Sequence, residues 1–318
     1  MSVTRLNPPG RGLRRVEKNR VVAFGETLVD EPSAGRRPAG SACNVASHLA
    51  ALGVHPVLLT RVGRDSEGQR IEHMLRARGM DMRGVQRDPV RATGQVAGDP
   101  DGQQAHDRAS DHIHPAIARM IGLSVHPHMV YFSLPSLRGD SHRALRALLD
   151  AVDAEVVFDI RCDAPWLDAD GLRTALGRAR IVLLDAAILA SVAARLGLDG
   201  TRPAAFVGRV IADYAVSRVV VTQGAAGAWT FAADGSREGV RCEAAPTALP
   251  REAGDAFAAV FMLGCLRGWP IAVTLHRADV FARAWHDPAS APPSVPGYHR
   301  ACLDAWASEH AAAISRMA

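Results

Sequence analysis

The sequence predicts an α/β protein, a three-layer sandwich whose central, mostly parallel sheet is flanked by helices, with a small reduced lid. Three observations carry that expectation. Short β-branched runs alternate with longer helical stretches along most of the chain. The 318 residues are 48% hydrophobic, which suffices to bury a sizeable core. No run of eighteen or more apolar residues occurs, so a membrane span is not expected.

The first segment, residues 1–20, holds Arg5, Arg11, Arg14, Arg15, Lys18 and Arg20 against Glu17 as its only acid. It lacks an apolar signal core, so a disordered basic tail on a cytoplasmic protein is expected, with residues 21–318 forming a single domain. Without the tail, a chain of formal net charge +4 is close to neutral. A nucleic-acid-binding tail would carry the same charges as a solvated terminus, and the latter is the simpler reading. Neither nucleic acid nor membrane is expected as a partner.

Buried strands are expected at 20–24, 56–61, 129–133, 155–160, 180–184 and 218–222. Helices are expected at 41–52, 66–78, 142–152, 170–178, 186–196 and 204–214. Repeated strand-then-helix units place ligands at the carboxyl ends of the strands. Residues 91–117 break the rhythm with polar, Gly- and His-rich sequence and the turn Asp99-Pro100-Asp101-Gly102. This is either a lid segment, with a second near 30–39, or a solvated excursion. After a Pro- and Ala-rich loop at 287–296, a terminal helix is expected at 298–314.

Composition also excludes chemistry. Lys18 is the only lysine among 37 basic residues, so no Walker A lysine, protein-kinase lysine or Schiff base can be placed in the body. The five cysteines are widely spaced without a CxxC pair, which fits reduced thiols. His106, His112, His114, His126 and His128 crowd one region, and an extended 112–114 segment would put two imidazoles on one side. A metal site would still need a third ligand at a defined spacing, so no protein metal site is expected. Gly224-Ala225-Ala226-Gly227 is too short and too late for a dinucleotide fingerprint.

Glu252-Ala253-Gly254-Asp255-Ala256-Phe257 opens an apolar helix that stops at Gly268. Small residues at a helix start let backbone N–H groups approach an anion, which the helix dipole also favours. Asp255 there could accept a proton from an attacking hydroxyl while amides stabilise a phosphoryl group in transit. An ordinary first turn with a stabilising acid has the same local sequence.

These residues resemble the GAGDAF segment of the ribokinase-like (PfkB) sugar kinases, and further matches follow in the family's order. Phe24-Gly25-Glu26-Thr27-Leu28-Val29-Asp30 resembles the first strand and its sugar-binding acid. Pro38-Ala39-Gly40-Ser41-Ala42-Cys43-Asn44-Val45-Ala46 is similar to the sugar-binding PGGxxxNVA segment. Arg61-Val62-Gly63-Arg64-Asp65, with Gly68, resembles an RVGxDxxG turn, and Val221-Thr222-Gln223-Gly224-Ala225-Ala226-Gly227 a VTxGxxG strand and turn beside the nucleotide. The resemblance implies Asp255 as base and Ala253, Gly254 and Asp255 as the anion hole. It implies Asp30, Gly40 and Asn44 as acceptor-binding residues and Thr222, Gly224, Gly227 and Asp185 as nucleotide-side residues. ATP and Mg²⁺ are the implied cofactors, and a small sugar the implied substrate. A homodimer is compatible with the resemblance, although the shortness of 30–38 withholds any lid-mediated assembly.

The family pattern changes at several places. Leu249-Pro250-Arg251-Glu252 replaces the aspartate-threonine pair and first glycine that precede AGD in the family. A carboxylate at Glu252, about 6 Å from a phosphate at an effective dielectric near 20, would oppose it by about 3 kcal/mol, on the order of a hundredfold in rate. The metal-organising Asn-x-x-Glu appears as Asp185-Ala186-Ala187-Ile188, and Asp-x-Asn-x-Arg as Asp159-Ile160-Arg161-Cys162-Asp163. Ala39 and His286-Asp287-Pro288-Ala289-Ser290 replace glycine-bearing turns. Two functions are therefore expected as rivals: a working ATP-dependent sugar kinase, or a catalytically impaired relative that binds sugar or nucleotide as a sensor or partner subunit.

Overall fold

The computed structural model describes residues 20–30, 37–96, 107–162, 164–241, 250–284 and 296–315. All of the expected tail at 1–20 except Arg20, most of the 30–39 lid segment and the centre of the 91–117 segment lie outside the described residues. So does 286–290.

In chain order the elements begin with β1 (Arg20–Phe24), β2 (Leu28–Asp30), β3 (Arg37–Ala39), α1 (Ser41–Ala51), β4 (His55–Gly63) and α2 (Ser66–Ala77). There follow β5 (Val85–Asp88), β6 (Gly94–Gln95), α3 (Pro115–Val125), β7 (Met129–Ser133), α4 (Ser141–Leu149) and β8 (Glu155–Ile160). Next come α5 (Ala169–Leu176), β9 (Ile181–Asp185), α6 (Leu189–Leu196), α7 (Pro203–Tyr214) and β10 (Arg218–Thr222). The chain ends with β11 (Gly227–Ala232), β12 (Arg237–Arg241), α8 (Arg251–Arg267), α9 (Ile271–Arg283) and α10 (Pro296–Ser315).

Nine strands form one sheet in the order β12-β11-β10-β9-β8-β7-β1-β4-β5. Every pairing from β10 to β5 is parallel, and the β10–β11–β12 edge is antiparallel. Buried parallel strands bury both faces, and the period-2 alternation sorts their side chains between two cores. Val21, Ala23, Met129, Tyr131 and Val220 face one core, which α1, α2, α8 and α9 complete. Val22, Phe24, Val130, Phe132 and Val219 face the other, completed by helices α3 to α7. The three-layer sandwich is thus the observed architecture.

A second, three-stranded sheet, β3-β2-β6, stands beside the main one. Its entry is tied down by Asp65, whose carboxylate accepts from the Gly68 amide at 2.7 Å, the Thr93 amide at 2.7 Å and the Thr93 hydroxyl at 2.8 Å. The RVGxDxxG turn is therefore a structural knot that caps α2 and anchors the strand leading to β6.

The His112-Ile113-His114 segment is extended only from Ile113 on. A short 3₁₀ turn covers Ala109–His112, and His112 lies between Asp107 and Asp140. Ile113 is in the core, and the His114 ring accepts from the Ala116 amide at the start of α3. Among the described residues, no group of three His, Cys, Asp or Glu side chains is placed to hold a metal, and no helix is long and apolar enough to cross a membrane.

Candidate active site

The carboxyl ends of the parallel strands converge on a cavity of about 560 Å³. Glu26 follows β1, Ser133 ends β7, Arg161 follows β8, Asp185 ends β9 and Thr222 ends β10, and all five line it. The first turn of α8 closes one side through Pro250, Ala253 and Gly254. A parallel sheet leaves its ligand crevice at this end because the strand-to-helix turns diverge there.

Parity along β8 explains the floor. Val157 faces the core shared with α8, so Asp159, two residues on, points the same way and toward the helix. Tyr131 on neighbouring β7 donates its hydroxyl to Asp159 Oδ2 at 2.7 Å. Arg161 then folds back over Asp159, donating Nε to Oδ1 at 2.7 Å and Nη2 to Oδ2. Nη2 also lies 2.7 Å from Asp255 Oδ1 and 3.1 Å from the Tyr131 hydroxyl oxygen. The other oxygen of Asp255 accepts from Asn44 Nδ2 of α1 at 2.8 Å. Asp255 is only 3% exposed, and both its oxygens are hydrogen-bonded by side chains.

Burial works against the charge of Arg161, but Asp159, then Asp255 and Tyr131, hold the guanidinium well above its ordinary range. Burial pushes the Asp159 carboxyl up, and Arg161 is the main opposing influence. This trio of one cation and two anions is a buried charge cluster, which is costly to assemble and costlier to break by removing one member.

Gly254 is where the cluster meets the helix. A Cβ at this position would overlap Arg161 Nη1, so only glycine lets the guanidinium lie against the first turn of α8. The helix has no side-chain N-cap, and the Ala253 amide is already donated to the Pro250 carbonyl at 3.0 Å. The expectation of a free amide at Ala253 is corrected accordingly, because the 3₁₀-like first turn consumes it.

Of the expected acceptor-binding and catalytic residues, Asp30, Gly40, Asn44 and Asp255 do not line the cavity, whereas Ala253, Gly254 and Arg161 beside Asp255 do. Asp30 Oδ2 accepts from Arg37 Nε at 3.1 Å and Nη2 at 3.0 Å, and the same Nη2 reaches Glu252 Oε1 at 2.9 Å. One arginine of β3 thus links the first-strand acid to the carboxylate that opens α8. The uncompensated repulsion expected from Glu252 is corrected by this counter-charge. Gly40 has φ +98°, and a Cβ there would sit 2.6 Å from the Glu26 carbonyl oxygen, so its requirement is close packing of the β3–α1 corner onto the β1 turn.

That turn carries a residue the motifs did not single out. Glu26 lies partly buried in the cavity wall, and burial lifts its carboxyl to about 7 although Arg108 and Arg138 pull it down. Its position in Phe24-Gly25-Glu26 was visible, but its orientation toward the cavity depends on the chain turning at Gly25. Cys162 is also in the wall, and burial pushes its thiol up to about 11, which leaves it protonated and poorly nucleophilic.

The residues expected on the nucleotide side share the opposite wall. Thr222 pairs in register with Asp185 across β10 and β9, and Thr222, Gly224, Gly227 and Asp185 all line the cavity. Asp185 accepts from the Ala187 amide at 2.8 Å. Ile188, where the family pattern has a carboxylate, packs against the hydrophobic core on that face.

Comparison with solved structures gives the same fold. The chain resembles aminoimidazole riboside kinase from Salmonella enterica, solved with aminoimidazole riboside and an ATP analog, at 19% identity and a TM-score of 0.70 over 90% of this chain and 99% of that one. Fructokinase from Vibrio cholerae O395, in a form with fructose, ADP and calcium, matches at 20% identity and a TM-score of 0.71 over the same shares. A putative ribokinase II from E. coli, in complex with ATP and Mg²⁺, matches at 18% identity and 0.71, again over 90% and 99%. At sequence level, residues 13–285 match the pfkB family of carbohydrate kinases. With most of its length in that match and its sheet, cavity and helix α8 arranged as described, this chain belongs to the pfkB carbohydrate kinase family.

Proposed function

We propose that this protein transfers the terminal phosphoryl group of ATP to a hydroxyl of a small sugar or sugar-like acceptor. The carrying observation is the position of Asp255, at the start of α8 and 2.8 Å from Asn44, beneath a cavity shared by Glu26 and Ser41 on one side and Thr222, Gly224 and Asp185 on the other. Asp255 takes the hydroxyl proton as the acceptor oxygen bonds to the terminal phosphorus. The bond to the bridging oxygen then breaks and ADP departs with its electron pair. Asn44 orients the Asp255 carboxylate, and Asp30 with Gly40 shapes the acceptor side. The three strands β3, β2 and β6 serve as a reduced lid.

Thr222, Gly224 and Gly227 support the nucleotide. A Mg²⁺ ion that arrives with ATP fits this donor set only modestly, since Ile188 supplies no oxygen. Asp185 is the carboxylate that would hold it, alongside phosphate oxygens and water. The ion's chemistry there is neutralisation of the phosphates. We place the protein in the cytoplasm.

One observation favours a second reading. Both oxygens of Asp255 are occupied by this chain's own donors, as expected of a non-catalytic relative that binds sugar or nucleotide as a sensor or partner subunit. A coupled ADP-release screen over pentoses, hexoses and nucleosides separates the two. Acceptor-dependent ADP release supports the kinase, and silence from folded protein with measurable ligand binding supports the second reading.

A further inference from the structure

Arg161 occupies the slot that an amide fills in the family pattern, and its placement goes beyond a local charge partner. Its Nε and Nη2 are committed to Asp159 and Asp255. Among the described residues, the hydrogen bond of Nη1 is a long one, 3.4 Å to the Arg251 carbonyl. That nitrogen lies against Gly254, on the cavity lining, at the N-terminal turn of α8. The Ala253 amide of this turn is spent on Pro250, and the Arg161 guanidinium is a donor presented to the cavity beside it. Asp159, Tyr131 and the close fit at Gly254 keep that guanidinium in place, which is the preorganisation an anion ligand needs.

We infer that Arg161 is a phosphoryl ligand acting in cis, holding the terminal phosphate of a bound nucleoside triphosphate where the cavity meets Gly254. The inference rests on the kinase reading above and extends it to a residue that none of the matched motifs contains. During transfer, the acceptor oxygen forms its bond to the terminal phosphorus, the bond to the bridging oxygen breaks, and the hydroxyl proton passes to Asp255. Arg161 forms no covalent bond and carries the charge that builds on the phosphoryl oxygens. The same guanidinium holds Asp255 Oδ1 through Nη2, so the phosphoryl ligand and the base share one anchor.

The test is equilibrium binding of ADP and of the non-hydrolysable analogue AMP-PNP to the full chain by titration calorimetry. A ligand to the terminal phosphate makes AMP-PNP bind about tenfold or more tighter than ADP, and Arg161→Met brings the ratio close to one. Because Arg161→Met strands two buried carboxylates and can fail to fold, Arg161→Lys is measured beside it. Lysine keeps the charge without the fork, and its ratio is expected to fall between the two. A ratio unchanged in either folded variant overturns the proposal while leaving the kinase reading intact. So does tighter AMP-PNP binding by Arg161→Met than by the natural protein, which would make Arg161 a plug. Failure of the natural protein to bind either nucleotide overturns both.

Discussion

On the floor of the cavity Arg161 answers Asp159 and Asp255, and outside the cavity lining Arg37 answers Asp30 and Glu252. On the opposite wall, Thr222, Gly224 and Asp185 meet the cavity through a strand end, a turn and a carboxylate that accepts one backbone amide. The floor is internally compensated, and we read the wall as the side that a ligand completes. Two conspicuous departures from the family pattern, Arg161 on the floor and Glu252 at the start of α8 outside the cavity lining, are each matched by a charge of opposite sign. Changes that look like damage one at a time form a coupled set in three dimensions.

The most damaging change short of the base itself is expected at Gly254. Gly254→Ala puts a methyl where Arg161 Nη1 lies, and the displaced guanidinium should cost about tenfold to a hundredfold in kcat. Steady-state kinetics beside thermal melting checks this, and unchanged kcat would show that the contact is idle.

A smaller effect tests the second compensated pair. Arg37→Ala uncovers Asp30 and Glu252 together and should lower kcat/KM by about five- to tenfold. Glu252→Gly alone should change little, and in the Arg37→Ala background it should recover part of the loss. Additive effects across this double-mutant cycle would refute the coupling.

Glu26 provides a pH signature. Its carboxyl binds a proton more tightly in the folded protein, at about 7, than at the ordinary 4.5 of the unfolded chain. Stability from this group is therefore greatest below pH 4.5, declines as the pH rises to 7 and is flat above. The total change is on the order of 3 kcal/mol at most. Glu26→Gln should remove this slope and raise the melting temperature at pH 8, and a parallel pH profile for the variant would contradict the assignment. The smallest effect is expected at the lid anchor, where Asp65→Ala loses the α2 cap and the Thr93 contacts for about 1–2 kcal/mol of stability. Urea denaturation reads it, with turnover near that of the natural protein.

Much of the architecture was legible because β1, β4, β7, β8, β9 and β10 are short apolar runs, which a buried parallel strand requires. Of the strands that escaped, β12 and β5 lack that mark, while β11 is apolar but follows directly on a Gly-bearing turn. Strand β12 has Arg237, Glu238, Gly239 and Arg241 exposed, and β5, Val85-Gln86-Arg87-Asp88 at the sheet edge, is mostly polar and charged. Helix α3 begins with His114 as its cap and Pro115 at its first turn, inside what read as a polar excursion. The site was legible as motifs, but not as contacts. Arg161 meets Asp255 across 94 residues and Arg37 meets Glu252 across 215, so no local pattern announces either pair. Glu252 read alone was a repulsive charge, and its meaning changed once its partner was in place.

The central claim is that Asp255 removes the acceptor proton, and replacing its carboxylate with an isosteric amide tests it most directly. With the best acceptor from the ADP-release screen at saturation, Asp255→Asn should lower kcat by about a hundredfold to ten-thousandfold. The folded structure and AMP-PNP binding should persist. Turnover within a factor of about two of the natural protein would show that the proton goes elsewhere, and the account of the floor as a catalytic centre would be wrong.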